Sequence, residues 1–387
     1  MERKIFDVIV LGVGSMGVSA CYHLSREGAS VLGLEQFEVP HEHGSHGGQS
    51  RIIRQAYFEH PDYVPLLKRA YHQWAQLEQR ASTQVYYPTG LLYAAPPGHF
   101  LLAGTRLSAA QHNLPLQTVS RHEQQTHFPA FRIPAEYDIL HEAEAGLLLP
   151  HRCLSVYKEQ AIAHGAVIKE HQRVRGWQKN GSEIVVTTDQ GVYHARKLII
   201  TAGAWAGQFM PAWASSLRVT RQVIAWVQPQ QPALFELGSF PCWLIAHPKL
   251  PGSFYGFPVL PHAQMGGPAG LKIAYHYPGT VTDPDAHEWG NTQEDVNLLM
   301  DALKTYLPLG FEKLLTVKTC LYTNTPDEHF VIDFLPDTDD QVVVAAGFSG
   351  HGFKFVSVVG EILSDLALRG HTYLPIGFLR LSRLAVR

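Results

Sequence analysis

The chain has few cysteines, no long apolar run and no surplus of either charge, and each absence closes off a class of protein. Its four cysteines, Cys21, Cys153, Cys242 and Cys320, lie far apart and make no metal-ligand spacing. A chain this long builds a core without disulfide staples, so the thiols read as reduced and the expected setting is cytoplasmic. No apolar run approaches the ~20 residues of a membrane span. Met1-Glu2-Arg3-Lys4 leads straight into a strand-like segment, so no cleavable signal is expected. Ala385-Val386-Arg387 is not a Ser-Lys-Leu-type address. With 31 basic and 34 acidic side chains, the formal net charge is −3. Neither nucleic acid nor an anionic membrane is expected as a partner.

What the chain does contain begins with a strand, a glycine turn and a helix. At 387 residues, 45% hydrophobic and 17% charged, it is an ordinary globular chain with room for two domains. Ile5, Phe6, Val8, Ile9, Val10 and Leu11 make a nearly all-apolar stretch, the pattern of a buried parallel strand. Gly12-Val13-Gly14-Ser15-Met16-Gly17 follows, and then Val18, Cys21, Tyr22 and Leu24 predict a helix stopped by Gly28. A second strand over 30–34 ends at Glu35, an acid roughly 20 residues past the glycines. Such a βαβ unit binds a dinucleotide. Gly12 serves the tight turn, Gly14 the backbone's approach to the pyrophosphate, and Gly17 close packing of helix on strand. The helix N-terminus takes the diphosphate, and Glu35 accepts from ribose hydroxyls.

The strand-then-glycine arrangement returns twice. A helix is expected over 151–164, a strand over 166–168, a hairpin of 183–188 with 192–195, and a separate buried strand from Leu198 towards Gly203. Val342 to Ala346 is a further strand, ending on Gly347 and followed by a Gly-rich run to Lys354 and a helix over 355–368. One discontinuous dinucleotide domain is therefore expected over 1–84, 149–219 and 319–387. The segments 85–148 and 220–318, richer in Trp, Tyr, Pro and His, are expected to form an inserted second domain. No internal repeat or low-complexity segment is present.

Several residues outside the glycine turn invite chemistry. A lone thiol is ordinarily a small buried hydrophobe. Cys320, however, stands two residues after Lys318 and just before a polar Tyr322-Thr323-Asn324-Thr325-Pro326 turn. Neighbouring positive charge raises the thiolate fraction, which makes Cys320 a candidate for covalent chemistry. The loop after Glu35 carries His41, Glu42, His43 and His46 among glycines, but no helix spaces them on one face and no metal is expected. Arg51 and Arg54 close that loop. Arg suits bidentate carboxylate capture, and a surface ion pair is the plainer alternative. In Leu271-Lys272-Ile273-Ala274-Tyr275-His276, alternation puts Lys272, Ala274 and His276 on one face of a strand. They read either as a functional floor over a cofactor or as an outward lysine on an edge strand.

Taken in order, Gly12, Gly14, Gly17 and Glu35, the 44–54 loop, Tyr255-Gly256-Phe257-Pro258, the 271–276 strand, 320–333 and the 347–354 run resemble the monomeric sarcosine oxidase family. N-methyltryptophan and pipecolate oxidases belong to the same wider group, and the resemblance covers essentially the whole chain. It implies an α/β fold, with a doubly wound, Rossmann-like FAD domain and an inserted antiparallel β-rich substrate domain. FAD would be held through Gly12, Gly14, Gly17, Glu35, Gly347 and Gly350, with an 8α-thioether from Cys320. The implied activity is oxidation of the C–N bond of a secondary α-amino acid, with O2 reduced to hydrogen peroxide, by a monomer. By position, Arg54 and Lys354 look like the clamp on the substrate carboxylate and His276 and Tyr322 like the polar wall. Tyr57 and Tyr255 look like aromatic walls, and Arg51 and Lys272 like the cations against the flavin, Lys272 assisting oxygen reduction. The family's usual pattern has a histidine four residues before the first Arg of the loop. Here that place holds Gly47, which leaves open whether His46 supplies the imidazole. The residues do not choose among sarcosine, N-methyltryptophan, pipecolate and proline. A nicotinamide-dependent dehydrogenase would leave Cys320 and the 347–354 run unexplained, and a catalytically dead binding protein would not need Cys320, Lys272 and Lys354.

Overall fold

Val8 and Val10 turn to one face of the first strand and Ile9 and Leu11 to the other, and all are buried, so both faces must be covered. The computed structural model describes residues 4–277, 279–286 and 290–384. Strand Ile5–Leu11 is central in an eight-stranded sheet, parallel to Val31–Leu34 on one side and to Gly191–Ile200 on the other. Val167–Lys169 and Val342–Ala346 extend the parallel part. The strand expected from Leu198 is the end of one continuous strand, Gly191–Ile200. Its start pairs antiparallel with Glu183–Thr188 and its end runs parallel to Val342–Ala346, so one strand serves two neighbours in turn. Helices Ser15–Arg26, Tyr63–Ala81, Pro150–Ala163 and Val356–Arg369 share a core with Val8 and Val10. The opposite face is covered by shorter pieces, including Trp205, Phe209 and Leu217.

The second sheet has nine strands and is largely antiparallel. Its backbone is Arg218–Gln228, which pairs with both Leu271–His276 and Lys313–Asn324. Helix Gln293–Tyr306 packs on one face, with Leu299 and Leu303 in the core. Ile224, Trp226, Ala274, Cys320 and Tyr322 form a small cluster of their own on this sheet. The expected domain edge at 318/319 falls inside a strand. Lys313–Asn324 belongs wholly to the second sheet, and so therefore does Cys320. At the other expected edge, the sheet begins at Arg218 rather than at 220. Leu271–His276 lies between Arg218–Gln228 and Ser253–Phe257, which removes the edge-strand reading of Lys272. A three-stranded sheet of Arg51–Ile53, Gly146–Leu148 and Tyr86–Tyr87 joins the segments where the chain passes between the two large sheets. No helix among the described residues is long and apolar enough to cross a membrane.

Candidate active site

The glycine turn sits where the first strand hands over to helix Ser15–Arg26. A Cβ on Gly17 would lie 1.9 Å from the carbonyl oxygen of Gly12, so only glycine lets this helix approach the strand end. No side chain caps the helix at Gly14, which leaves its first N–H groups available to an anion. Glu35, at the end of the neighbouring strand, accepts from the backbone N–H of Val13 at 2.8 Å and of Phe37 at 3.0 Å. Burial raises the Glu35 pKa, and those backbone donors pull the other way.

Glu35 lines a cleft together with Gly12, Gly14, Arg51, Gly347 and Gly350, whereas Gly17 is not among the lining residues and packs against Gly12. His46 also lines it, buried, with an Nε2 that has no hydrogen-bond partner among the described residues. Its ring rests 4.8 Å from that of His41, and burial brings its pKa down to about 3. At Gly47 a Cβ would come to 3.0 Å from the Glu42 carbonyl oxygen. The loop thus presents His46, and not position 47, to the cleft. An uncapped helix start and a glycine-only approach on one cleft suit an anionic dinucleotide, and the unpartnered Nε2 of His46 faces the same space. Asp285, just after strand Thr280–Val281 of the second sheet, accepts from Trp205 Nε1 at 2.8 Å and Arg173 Nη2 at 2.9 Å, both residues lining the cleft. Among the described residues no group of three or more His, Cys, Asp or Glu is placed to hold a metal ion.

Cys320 is buried, opposite Gln222 in the antiparallel ladder. The positive charge expected from Lys318 is not there: its ammonium pairs with Glu42. Burial raises the Cys320 pKa above that of a free thiol, and the cations working against it are Arg51 and Lys272. Those two are held by one carbonyl. Ser50 O accepts from Arg51 Nη1 at 2.8 Å and from Lys272 Nζ at 2.7 Å. Lys272 is 1% exposed, its ammonium 4.4 Å from the Phe257 ring centroid and 5.6 Å from that of Trp226. Burial lowers its pKa far below that of a free lysine, and Arg51 adds to the effect. The Arg51 fork also reaches Ser45 O at 2.9 Å and Gly47 O, which ties the histidine loop to the cations.

Arg51, Gly350 and Phe353 line a second cavity as well, so the two spaces meet there. Arg54, His276, Tyr322, Tyr255 and Lys354 all line it. His276 Nδ1 and the Tyr322 hydroxyl are 3.3 Å apart, and burial lowers the His276 pKa to about 4. Lys354 donates to His351 O at 2.7 Å, and burial, reinforced by Arg54, lowers its pKa to about 7.

Two features differ from the sequence reading. Tyr57 does not line the cavity. It is fully buried behind it, with its ring 4.1 Å from Arg54 Cζ and 5.1 Å from Lys354 Nζ, and its hydroxyl bonded to His351. Arg54 is not a free cation either: its Nη2 donates to both oxygens of Glu59, at 2.6 and 2.7 Å. Burial pushes the Glu59 carboxyl up, but Arg54, His351 and Lys354 together outweigh it and hold the pKa at about 2. Sequence reasoning missed Glu59, Phe58 and His351. The i, i+5 spacing of Arg54 and Glu59 carries no helix or strand signal, and an acid among aromatics is the one clue the sequence offers.

With this geometry in view, similarity to known proteins is informative. The chain is 37% identical to the monomeric sarcosine oxidase of Arthrobacter sp. over 390 residues, covering 100% of this chain and 98% of that protein. It is 31% identical to human peroxisomal sarcosine oxidase, over 99% of this chain and 97% of that one. Against the N-methyl-L-tryptophan oxidase of Yersinia pestis the figure is 32%, over 94% and 95%. Among solved structures the fold superposes on NikD, described as an unusual amino acid oxidase essential for nikkomycin biosynthesis, with a TM-score of 0.86 at 23% identity over 98% of both chains. It also superposes on an L-proline dehydrogenase from P. horikoshii, with a TM-score of 0.80 at 20% identity over 98% and 97%. Residues 7–366 match the family described as FAD dependent oxidoreductase, and to that family the chain belongs.

Proposed function

We propose that this protein oxidises the C–N bond of a secondary α-amino acid, with FAD as cofactor and O2 as the electron acceptor that becomes hydrogen peroxide. The observation that carries this reading is the paired cations Arg54 and Lys354 in a cavity that meets the dinucleotide cleft at Arg51 and Gly350. FAD, when bound, supplies the acceptor for the hydride equivalent from the substrate and returns two electrons to oxygen. Around it the protein binds and orients. Arg54 and Lys354 take the substrate carboxylate, with Tyr57 packed behind both. A carboxylate arriving beside Lys354 favours its charged form, so binding draws a proton onto a lysine whose pKa is about 7. His276, kept neutral by burial with a pKa of about 4, offers a hydrogen-bond partner to the substrate's amine while Tyr322 orients its ring. Lys272, fixed on Ser50 O beside Phe257, is placed where negative charge develops on oxygen, and that charge favours the protonated ammonium that burial otherwise disfavours.

Cys320 is the point of covalent attachment in this reading. Its sulfur would hold the flavin through an 8α-thioether, and the flavin with oxygen would supply the two-electron oxidation that forming such a bond requires. Arg51 and Lys272 favour the thiolate that this needs. The relatives called monomeric favour a monomer, and four buried free thiols fit a cytoplasmic setting.

The test is direct. Wild-type protein precipitated with acid should keep its yellow colour in the pellet, and Cys320→Ser should release FAD to the supernatant. Peroxide release should be measured with sarcosine, N-methyltryptophan, pipecolate and proline. Peroxide from none of them would remove the oxidase reading, and complete flavin release from wild type would remove the thioether.

A further inference from the structure

The substrate cavity has two unlike walls. One is ionic, with Arg54, Glu59, His276, Tyr322 and Lys354. The other is apolar, formed by Ile52, Phe58, Leu244 and Tyr255, which belong to one hydrophobic cluster that continues into the core of the second sheet. N-methylglycine engages the ionic wall fully and has only its methyl group and methylene to set against the apolar one. A wall of this kind is matched by a substrate with an apolar substituent beside its carboxylate and amine.

Phe58 is the member of that wall that joins the two halves. Its ring lies 4.3 Å from Arg54 Cζ, covering the guanidinium that faces the substrate carboxylate. On its outer side it meets Phe100 at 5.9 Å with the planes 66° apart, and Phe100 is 55% exposed. The backbone beneath it is gripped by helix Phe100–His112. A Cβ on Gly104 of that helix would come to 2.2 Å from Phe58 O, and Ser108 Oγ donates to Tyr57 O at 2.5 Å. The backbone of Phe58 is thus held by this helix, and its ring stands between the Arg54 guanidinium and Phe100 on the wall of the cavity.

We propose that Phe58 sets the substrate preference of this site, and that the site takes secondary α-amino acids with an apolar side chain on Cα in preference to N-methylglycine. The proposal rests on the oxidase reading above. An apolar pocket discriminates by about tenfold or more for each well-placed methylene.

The experiment is anaerobic reduction of the bound flavin in the holoprotein, followed by its absorbance, with N-methylglycine, N-methyl-L-alanine and N-methyl-L-leucine. The second-order rate constant should rise along the series, by about tenfold or more from first to last. In Phe58→Ala the leucine-to-glycine ratio should fall by at least about fivefold, and Phe58→Leu, which keeps an apolar surface, should retain most of it. A merely structural loss would lower all three rates together and leave the ratio unmoved, and that result overturns the proposal. N-methylglycine as the fastest wild-type substrate overturns it as well, while leaving the oxidase reading intact. If no member of the series reduces the wild-type flavin, both fall. Should Phe58→Ala fail to fold, the wild-type series and Phe58→Leu decide the question.

Discussion

The dinucleotide cleft and the substrate cavity touch at Arg51 and Gly350, yet they are made by different means. The glycine turn of the cleft is built from main chain, in a unit contained in residues 5–35, and its steric demands fall on Gly12 and Gly17. The cavity is built from side chains of distant segments, and its character is set by buried charges that have no meaning until they are brought together. At Gly12 and Gly17 the turn has no room for an added carbon. The charge cluster tolerates conservative change, with graded consequences, because each group's state is a balance of burial against neighbours.

The contrast is tested most sharply at the turn. Gly17→Ala adds one carbon 1.9 Å from Gly12 O, and the expected result is a folded but colourless protein with no measurable FAD content. Yellow protein at normal yield from this variant would break the distinction. Next in size is Lys272→Met, which removes the cation set beside Phe257 and Trp226. Losing one preplaced charge of this kind commonly costs ~10²–10³ in rate. Stopped-flow traces should show reoxidation by oxygen slowed far more than reduction by substrate. Equal slowing of both would make the lysine structural.

At the substrate end, Arg54→Ala and Lys354→Ala should each weaken binding of a small carboxylate inhibitor by at least tenfold, since charged hydrogen bonds contribute ~1.5–3 kcal/mol. Titration of the flavin absorbance reads this. Arg54→Ala also strands Glu59, whose pKa of about 2 depends on that partner, and should be the more damaging of the two. Lys354 carries its charge below its pKa of about 7 and loses it above. Inhibitor binding should therefore weaken as the pH rises from 6 to 9, and Lys354→Met should flatten that profile. An unchanged slope in the variant would assign it to another group. The smallest effect is expected at the cleft rim. Asp285→Ala removes a partly exposed carboxylate from Arg173 and Trp205. Exposed ion pairs contribute ~0.2–1 kcal/mol, so FAD should leave the Cys320→Ser background only a few times faster.

How far each region could be read in advance follows the same division. Strand, turn, helix and acid over 5–35 are visible because their contacts are local and their periodicities regular. The hairpin of Glu183–Thr188 with the strand from Gly191 is visible for the same reason, through its Asp189-Gln190-Gly191 turn. The edge expected at 318/319 was invisible in a different way. Nothing in the composition near Lys318 shows that Lys313–Asn324 runs on through it as one strand of the second sheet. Lys318 is the clearest misreading. Two places from Cys320 in sequence, it pairs outward with Glu42, while the cations that act on the thiol come from residues 51 and 272.

By itself, the sequence determined that the chain is a dinucleotide-binding α/β protein, where its glycine turn lies, and which cations and aromatics are available for chemistry. Apolar periodicity and turn residues act over a few positions, so they are written in the order of the residues. Only the tertiary structure decided that Glu59 holds Arg54, that Tyr57 stands behind the cavity while Phe58 lines it, and that His46 faces the cleft. It also decided that Arg51 and Lys272 share the carbonyl of Ser50. Those outcomes depend on burial and on which charges meet across loops and sheets, and a buried charge takes its partner and its pKa from whatever the completed fold puts beside it.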